Sequence, residues 1–447
     1  MSELAAGETV QMKTTGDALV ICEKLGEGGQ GLVFRAEMGG RPFAVKWYRP
    51  SKKRKANDRL YDAISRLVSS GRPPCSAFAW PIDLVESNAH DGFGYVMPLM
   101  DKRFISFAQL LLAPDPPDFR MLIKIGLGLV DAFASLHTSG LCYRDISFGN
   151  LWVDPLAGDI AIIDNDNVGI NGGRGMVKGT PGFMAPEVAR DEALPSTETD
   201  LYSLAVFLFY LFFFGHPLDG QAVEASFGWD GEHRLSEEEI LLKHYGLEPV
   251  FVYDPADDTN RPVAGSPVAS WWALYPGFFR ELFIQSFTKG LTDPTLNSRL
   301  TEGVWRKALY RLADCVWECP GCGAGLLFDP AAPTATRCWH CGASPELPLL
   351  LSVLGHSIVL HRGAVLTGRH LRLPARSDEP VAVVETDPRY PGSVLLRNKC
   401  DQAWTVSLPG AELKYVKPGQ RLLARPLTFE PGGKRATIAR AGTEPTR

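Results

Sequence analysis

No apolar run in this 447-residue chain is long enough to cross a bilayer. The most hydrophobic stretch, LYSLAVFLFYLFFFG from Leu201 to Gly215, falls short of the roughly 18 to 20 residues that a span needs, so a buried helix is expected there. The opening MSELAAGETV has neither a basic segment nor an apolar run of secretory length. Residence in the cytoplasm, away from membranes, is therefore expected. A large charge of either sign is missing too: 46 Lys and Arg against 51 Asp and Glu leave a net charge of -5, which offers nucleic acid no global attraction. There is no internal repeat. With 45% hydrophobic residues, 22% charged residues and a mean hydropathy of -0.05, the composition excludes a disordered or fibrous chain. The length implies two to four units at roughly 100 to 200 residues each. Nine cysteines do not imply disulfides, because four of them lie in two close pairs with metal-ligand spacing.

From about Val20 to Pro98 short apolar runs alternate with turns, as in LVICEKLG, LVFRAE, PFAVKWY and GYVMPL, and predict antiparallel strands with one helix near Asn57 to Ser69. After MPLMD the period changes. Leu122, Ile125, Leu129, Phe133 and Leu136 recur at helical spacing, with Asp118 as a start signal and Gly140 as a stop. The reading is a small sheet-rich lobe (residues 1–97), a hinge (98–101) and a larger helical lobe (102–314). Within it, the Pro- and Asp-rich stretch from Leu218 to Ser270 is expected to be a long surface insertion or an irregular connection between helices. Residues 315–345 form a Cys-rich module, 350–438 a run of short strands and 439–447 a frayed tail.

LGEGGQGLVFRA places Gly26, Gly28 and Gly31 between two strand-like runs. Without side chains there, backbone N–H groups can close over triphosphate oxygens while Val33 covers the base. Met97, just before the hinge, and Leu99, within it, are candidates for the same nucleotide pocket. Fifteen residues beyond Gly31, FAVK sets Lys46 in an apolar strand, where burying an ammonium is costly unless an anion such as the α/β-phosphates meets it. In YRDISFGN, Asp145 precedes Asn150 by five residues, so a carboxylate can face a substrate hydroxyl while an amide oxygen reaches a metal ion. Asp164 ends the apolar run of DIAIIDND, placed to hold Mg²⁺ on the phosphates.

With these four elements in this order, residues 20 to 314 resemble the eukaryotic-type Ser/Thr protein kinases. GTPGFMAPE, ending in Ala185-Pro186-Glu187, resembles the family's substrate-receiving segment, with Thr180 in a role of substrate-site structure. TETDLYSLAVFLFYL resembles its central buried helix, with Asp200 near the start, and Arg299 stands where the family pairs an arginine with the glutamate matched by Glu187. The resemblance implies an α+β, bilobal kinase fold, ATP and Mg²⁺ as cofactors, Lys46 orienting ATP, Asp145 as catalytic base, and Asn150 and Asp164 on the metal. It extends to bacterial kinases of tellurite-resistance-type phosphorylation systems, whose partners include a von Willebrand A-type protein and a metal-dependent phosphatase.

Four departures qualify this. Tyr143 replaces the usual His, and Ser147 replaces a lysine that meets the γ-phosphate. Losing roughly 2 to 4 kcal/mol of transition-state attraction would slow transfer about 10²- to 10³-fold, and Arg174 or Lys178 could supply the missing cation. No Glu occurs between Lys46 and Glu86, so Asp62, or next Asp58, is the expected stand-in for the helix glutamate that pairs with the lysine. DND replaces Asp-Phe-Gly, and Asp166 could add a metal ligand or restrict the loop. From Asn165 to Gly179 there is no Ser, Thr or Tyr, so activity independent of phosphorylation on that loop is expected.

CPGCG and CWHCG put Cys319, Cys322, Cys338 and Cys341 in two knuckles, the donor set of a structural zinc ribbon holding Zn²⁺, with His340 at the surface. The last segment resembles a forkhead-associated (FHA) β-sandwich in LTGRHL, with Gly368 and Arg369, and in LLRN, with Asn398, but has SDEP where that family has Ser-x-x-His. The resemblance implies that Arg369 and Ser377 meet a phosphothreonine peptide; the plainer reading is a sandwich for protein contact. Three functions stand side by side: a protein kinase with recruitment modules, a nucleotide-binding pseudokinase scaffold, and a binding module in which the C-terminal parts lead.

Overall fold

The computed structural model describes residues 4–443 apart from 29–30, 50–53, 114–116, 174–177, 229–234, 334–336, 374–376, 388, 390–392 and 408–412, with backbone alone for 54–57. The chain forms two compact units. The first comprises Met1–Pro117, Lys124–Trp272 and Glu281–Arg306, the second Asp118–Ile123, Ala273–Arg280 and Lys307–Arg447.

The first unit opens with strands β1 (Thr9–Met12), β2 (Ala18–Glu27), β3 (Gly31–Met38), β4 (Arg41–Tyr48), β5 (Asp83–Glu86) and β6 (Phe93–Pro98), and helix α1 (Arg54–Ser70) between β4 and β5. The strands close into a barrel in the order β1-β2-β3-β4-β6-β5, the last seam being β1 on β5 with Met12 opposite Val85. Val10, Leu19, Ile21, Leu32, Phe34, Val45, Trp47 and Val96 pack together in one core. Side chains alternate along a strand, so Val45 and Trp47 enter that core while Ala44 and Tyr48 turn outward with Lys46 between them. The outward face joins Tyr95 and Met97 and is covered by Ile64 of α1.

The helical part is organised by the helix Thr197–Phe213, capped by Ser196 through a reciprocal bond pair with Thr199. From Thr199 to Phe213 every residue but Tyr210 is buried, and a helix apolar all round belongs in a core. The helix Phe119–Thr138 follows the expected period, and the Leu218 to Ser270 stretch, expected to be irregular, contains helices Gln221–Phe227, Glu237–Leu242 and Pro267–Trp272. Among the described residues no helix is long and apolar enough to cross a membrane.

The second unit contains a hairpin of Val316–Glu318 with Gly325–Leu327, and two antiparallel sheets. One has six strands in the order His356–Val359, Leu349–Val353, Ala436–Arg440, Leu427–Glu430, Trp404–Ser407, Lys414–Val416. The other has four, Val365–Thr367, Pro380–Thr386, Val394–Asn398 and Arg421–Leu423. Both contribute to one core around Trp404, Leu396, Leu366 and Phe429. Two expected boundaries shift. Residues 118–123 and 273–280 join this unit, because Arg120 donates to Glu318 at 2.9 Å and Phe119 stacks edge-on against Tyr275. The tail expected from residue 439 begins later, since Ala439 and Arg440 still pair with Leu350 and Leu349.

Candidate functional site

The loop Tyr143–Asn150 is fixed from below by Asp200, whose carboxylate accepts the backbone N–H groups of Tyr143 at 2.5 Å and Arg144 at 2.9 Å. Tyr143 is buried and donates its hydroxyl to the Ile163 carbonyl. Arg144 has a left-handed φ of 75°, strain that persists only where the surroundings over-determine it. Here its guanidinium is tied to the carbonyls of Ile170 and Gly173, both at 3.1 Å.

Asp145 is thereby presented with its oxygens already engaged by hydroxyl and amide donors. Thr180 Oγ1 donates to Oδ1 at 2.7 Å, and Asn150 Nδ2 donates to Oδ2 at 3.3 Å and to the Asp145 carbonyl at 2.9 Å. Asn167 Nδ2 lies 3.5 Å from Oδ2, a contact that the residue pattern did not suggest. With its N–H groups spent on Asp145, Asn150 has its amide oxygen available for a cation.

Asp164 follows the strand Ile160–Ile162 and has a left-handed φ of 55°. Its Oδ1 is 3.2 Å from Lys46 Nζ, and Asp166 reaches the same ammonium at 3.0 and 3.3 Å while accepting the Tyr48 hydroxyl. Burial alone would depress the Lys46 ammonium, but Asp166 and Asp164 outweigh it and hold its pKa above the usual lysine value. Burial pushes the Asp164 carboxyl up, with Lys46 opposing and Asp166 and Asp145 adding to the rise. The carboxylate of Asp164 and the amide oxygen of Asn150 are hard oxygen donors of the kind that fits Mg²⁺.

Above this cluster, Val33 and Leu99 lie half-buried against Ala44 and Met97, an apolar surface suited to a flat base. A Cβ added at Gly26 or Gly28 would meet nothing within 4 Å, which leaves the loop open to an approaching ligand. Gly31 differs: a Cβ there would lie 2.4 Å from the Trp47 carbonyl, so the β3–β4 pairing itself requires glycine.

The structure relocates the lysine's partner. Asp62 and Asp58 are exposed, and among the described residues the carboxylates within ion-pair reach of Lys46 are Asp164 and Asp166. The pattern of α1 could not reveal this, although Tyr48, two residues beyond Lys46 on the same strand face, was an available signal. Ser147 is buried, Lys178 is exposed and ion-paired with Asp191, and Arg174 lies outside the described residues.

A family model described as a protein kinase domain matches residues 19–242, half of the chain. The chain belongs to the protein kinase family. It is 31% identical over 195 residues to the serine/threonine-protein kinase PknK of Mycobacterium tuberculosis, covering 42% of this chain and 17% of that protein. To the serine/threonine-protein kinase AfsK of Streptomyces coelicolor it is 26% identical over 205 residues, 43% of this chain and 24% of the relative. To a probable serine/threonine-protein kinase PLK of Dictyostelium discoideum the figures are 23% over 177 residues, 38% and 18%. The matched part spans less than a quarter of each relative.

Two buried ionic clusters brace this kinase-family unit, and each carries a test. Arg299 meets Glu187 with both arms, at 2.6 and 2.8 Å, and donates to the Glu198 carbonyl at 3.0 Å. Removing one partner strands the other's charge, so Arg299→Met is expected to destabilise the unit by about 3 to 5 kcal/mol in denaturant titration. The double variant with Glu187→Gln should lose less than the two single losses added. The second cluster was not legible in the sequence. His137 Nε2 lies 3.1 Å from Asp200 and its Nδ1 bonds Glu302. Burial opposes the imidazolium, but the two carboxylates prevail and raise its pKa to about 9. A pKa raised on folding stabilises fully below the unfolded value of 6.5 and loses that contribution as pH rises through about 9. Stability should therefore fall across that window by at most roughly 3 kcal/mol. Melting against pH should show the decline in wild type and a flatter profile in Glu302→Gln.

In the second unit the Sγ atoms of Cys319, Cys322, Cys338 and Cys341 all lie within 4.8 Å of one another. Cys319 to Cys341 and Cys322 to Cys338 are each 3.7 Å. A tetrahedron with Zn–S bonds of about 2.3 Å has edges of about 3.8 Å, so the four thiols could hold such an ion. Both knuckles turn alike, Gly323 N–H bonding the Cys319 carbonyl and Gly342 N–H that of Cys338, with positive φ at both glycines. His340 is exposed. Arg369 does not stand open in this structure: its guanidinium lies 3.7 Å over the Tyr310 ring, beside the buried His370–Asp314 pair. Its N–H bonds the Ser377 carbonyl at 2.7 Å, which brings those two residues together. Asn398 is buried, and its amide serves the Gln402 and Val416 carbonyls.

Proposed function

We propose that this chain is an ATP- and Mg²⁺-dependent serine/threonine protein kinase whose C-terminal unit, a zinc ribbon followed by a β-sandwich, recruits protein partners or substrates. The observation that carries the reading is the convergence of Asp145, Asn150, Asp164 and Lys46 on one cleft, with the Thr180 hydroxyl already donating to Asp145 at 2.7 Å. That hydroxyl shows that Oδ1 is oriented to accept from an alcohol, as a substrate Ser or Thr would require. Asp145 positions the incoming hydroxyl and takes its proton. Lys46 holds the α/β-phosphates, the backbone at Gly26 and Gly28 closes over them, and Val33, Met97 and Leu99 hold the base. Mg²⁺, on Asp164 and Asn150, would neutralise charge on the phosphates.

Ser147 and the engagement of Lys178 favour a second reading, a nucleotide-binding pseudokinase, because the loop carries a neutral residue where the family has a lysine and Lys178 is paired with Asp191. Incubation of wild type and Asp145→Asn with labelled ATP, Mg²⁺ and a generic protein substrate separates the two. Labelling by wild type that disappears in the variant supports the kinase; stabilisation of wild type by ATP without labelling overturns it in favour of the pseudokinase. For the C-terminal unit the plainer role in protein contact is preferred, because Arg369 and Asn398 are engaged within the unit.

A further inference from the structure

We propose that Asp166 is the positioning residue for Lys46, performing the task that the protein kinase family assigns to a glutamate on the small-lobe helix. This rests on the reading of Lys46 as the residue that holds ATP. Four observations carry it. Lys46 Nζ lies 3.0 and 3.3 Å from the two Asp166 oxygens. The Asp166 side chain is wholly enclosed whereas that of Asp164 is 34% exposed, so one carboxylate backs the lysine while the other faces the cleft. Tyr48, on the same face of β4, donates its hydroxyl to Asp166 Oδ2, the oxygen nearer to Lys46, and so helps to fix the carboxylate. Among its described side chains, helix α1 brings Ile64 with Leu60, Tyr61 and Val68 to this face, and its carboxylates Asp58 and Asp62 are exposed.

The residue between the two aspartates makes the arrangement rigid. Asn165 is fully buried, and its amide donates to the Ala79 carbonyl at 2.9 Å and the Ile162 carbonyl at 3.1 Å. The metal ligand and the lysine's partner therefore sit on one three-residue segment, set by the same local hydrogen bonds. No movement of α1 is needed to complete the pair. In the absence of Asp166, Lys46 would turn to Asp164 at 3.2 Å and draw that carboxylate from the metal.

The test uses the full chain and reads equilibrium binding of a fluorescent ATP analogue, with Mg²⁺ and with chelator, beside steady-state kinetics. Asp166→Asn should weaken analogue binding and raise KM for ATP by about 10- to 100-fold, the worth of a charge-assisted hydrogen-bond pair, and Tyr48→Phe should do so to a smaller degree. The Asp58→Asn/Asp62→Asn variant should stay within about twofold of wild type, and in a Lys46→Met background Asp166→Asn should add less than about twofold. Wild-type binding in folded Asp166→Asn, a larger loss in the helix variant, or an undiminished effect in the Lys46→Met background would each overturn the proposal. If Asp166→Asn does not fold, unchanged binding in Tyr48→Phe overturns it. A wild type that binds the analogue without transferring phosphate defeats the kinase reading alone, since the binding measurements still decide the role of Asp166.

Discussion

Asp145→Asn is expected to cut phosphoryl transfer by about 10²- to 10⁴-fold while leaving nucleotide binding near its wild-type level, the range attributable to a positioned general base. The substitution is isosteric, so Thr180 and Asn150 keep a partner of the same shape, and the backbone clamp of Tyr143 and Arg144 on Asp200 is untouched. What is lost is the anionic acceptor for the substrate proton. On the proposed reading ATP is held by Lys46, Asp164 and the wall of Val33, Met97 and Leu99, and Lys46 pairs with Asp164 and Asp166 rather than with Asp145. The effect should therefore fall on kcat and spare KM for ATP, the signature of an interaction made only in the transition state. Unchanged turnover in a folded variant would remove Asp145 from the mechanism.

Removing zinc is expected to have the largest effect on stability. The Cys-rich segment has a small core, Trp317, Leu326 and Phe328 with Cys319 and Cys338, joined by Val359 and Ala441. So little apolar surface cannot order the hairpin and its two knuckles alone. A bound structural Zn²⁺ contributes about 10 to 16 kcal/mol, and because the four thiolates converge only in the folded chain, that binding energy becomes folding energy. Metal analysis should find one zinc per chain. Chelation or Cys338→Ser should then expose residues 315–345 to limited proteolysis and lower the melting temperature. A metal-free chain of unchanged protease resistance would sink the assignment.

Much of the candidate cleft was readable because its residues announce themselves locally. The glycines of β2–β3, a lysine inside an apolar strand, and the Asp145 to Asn150 spacing each reflect one short element whose geometry its own residues dictate. The helix Thr197–Phe213 was equally legible from its unbroken apolar run, which no exposed position could carry. The lysine's counter-ion was not. Asp62 fitted the family's order along the chain, but Lys46 and Asp166 are 120 residues apart and meet because strand β4 and the segment after Ile160–Ile162 face each other. His137 and Glu302, 165 residues apart, escaped notice for the same reason.

The strand that closes the barrel illustrates the same division. Thr9–Met12 alternates buried and exposed residues as any half-buried strand does, and nothing in that alternation names β5 as its second neighbour. By itself the sequence determined the kinase-type elements, their order, and the two close cysteine pairs, since periodicity and spacing are properties of a single stretch of backbone. Only the tertiary structure decided which charge answers Lys46, where Arg369 points, and which segments join the second unit. Those are matters of what a buried ion finds within about 4 Å, and burial permits an ammonium or a guanidinium only where the fold brings a partner to it.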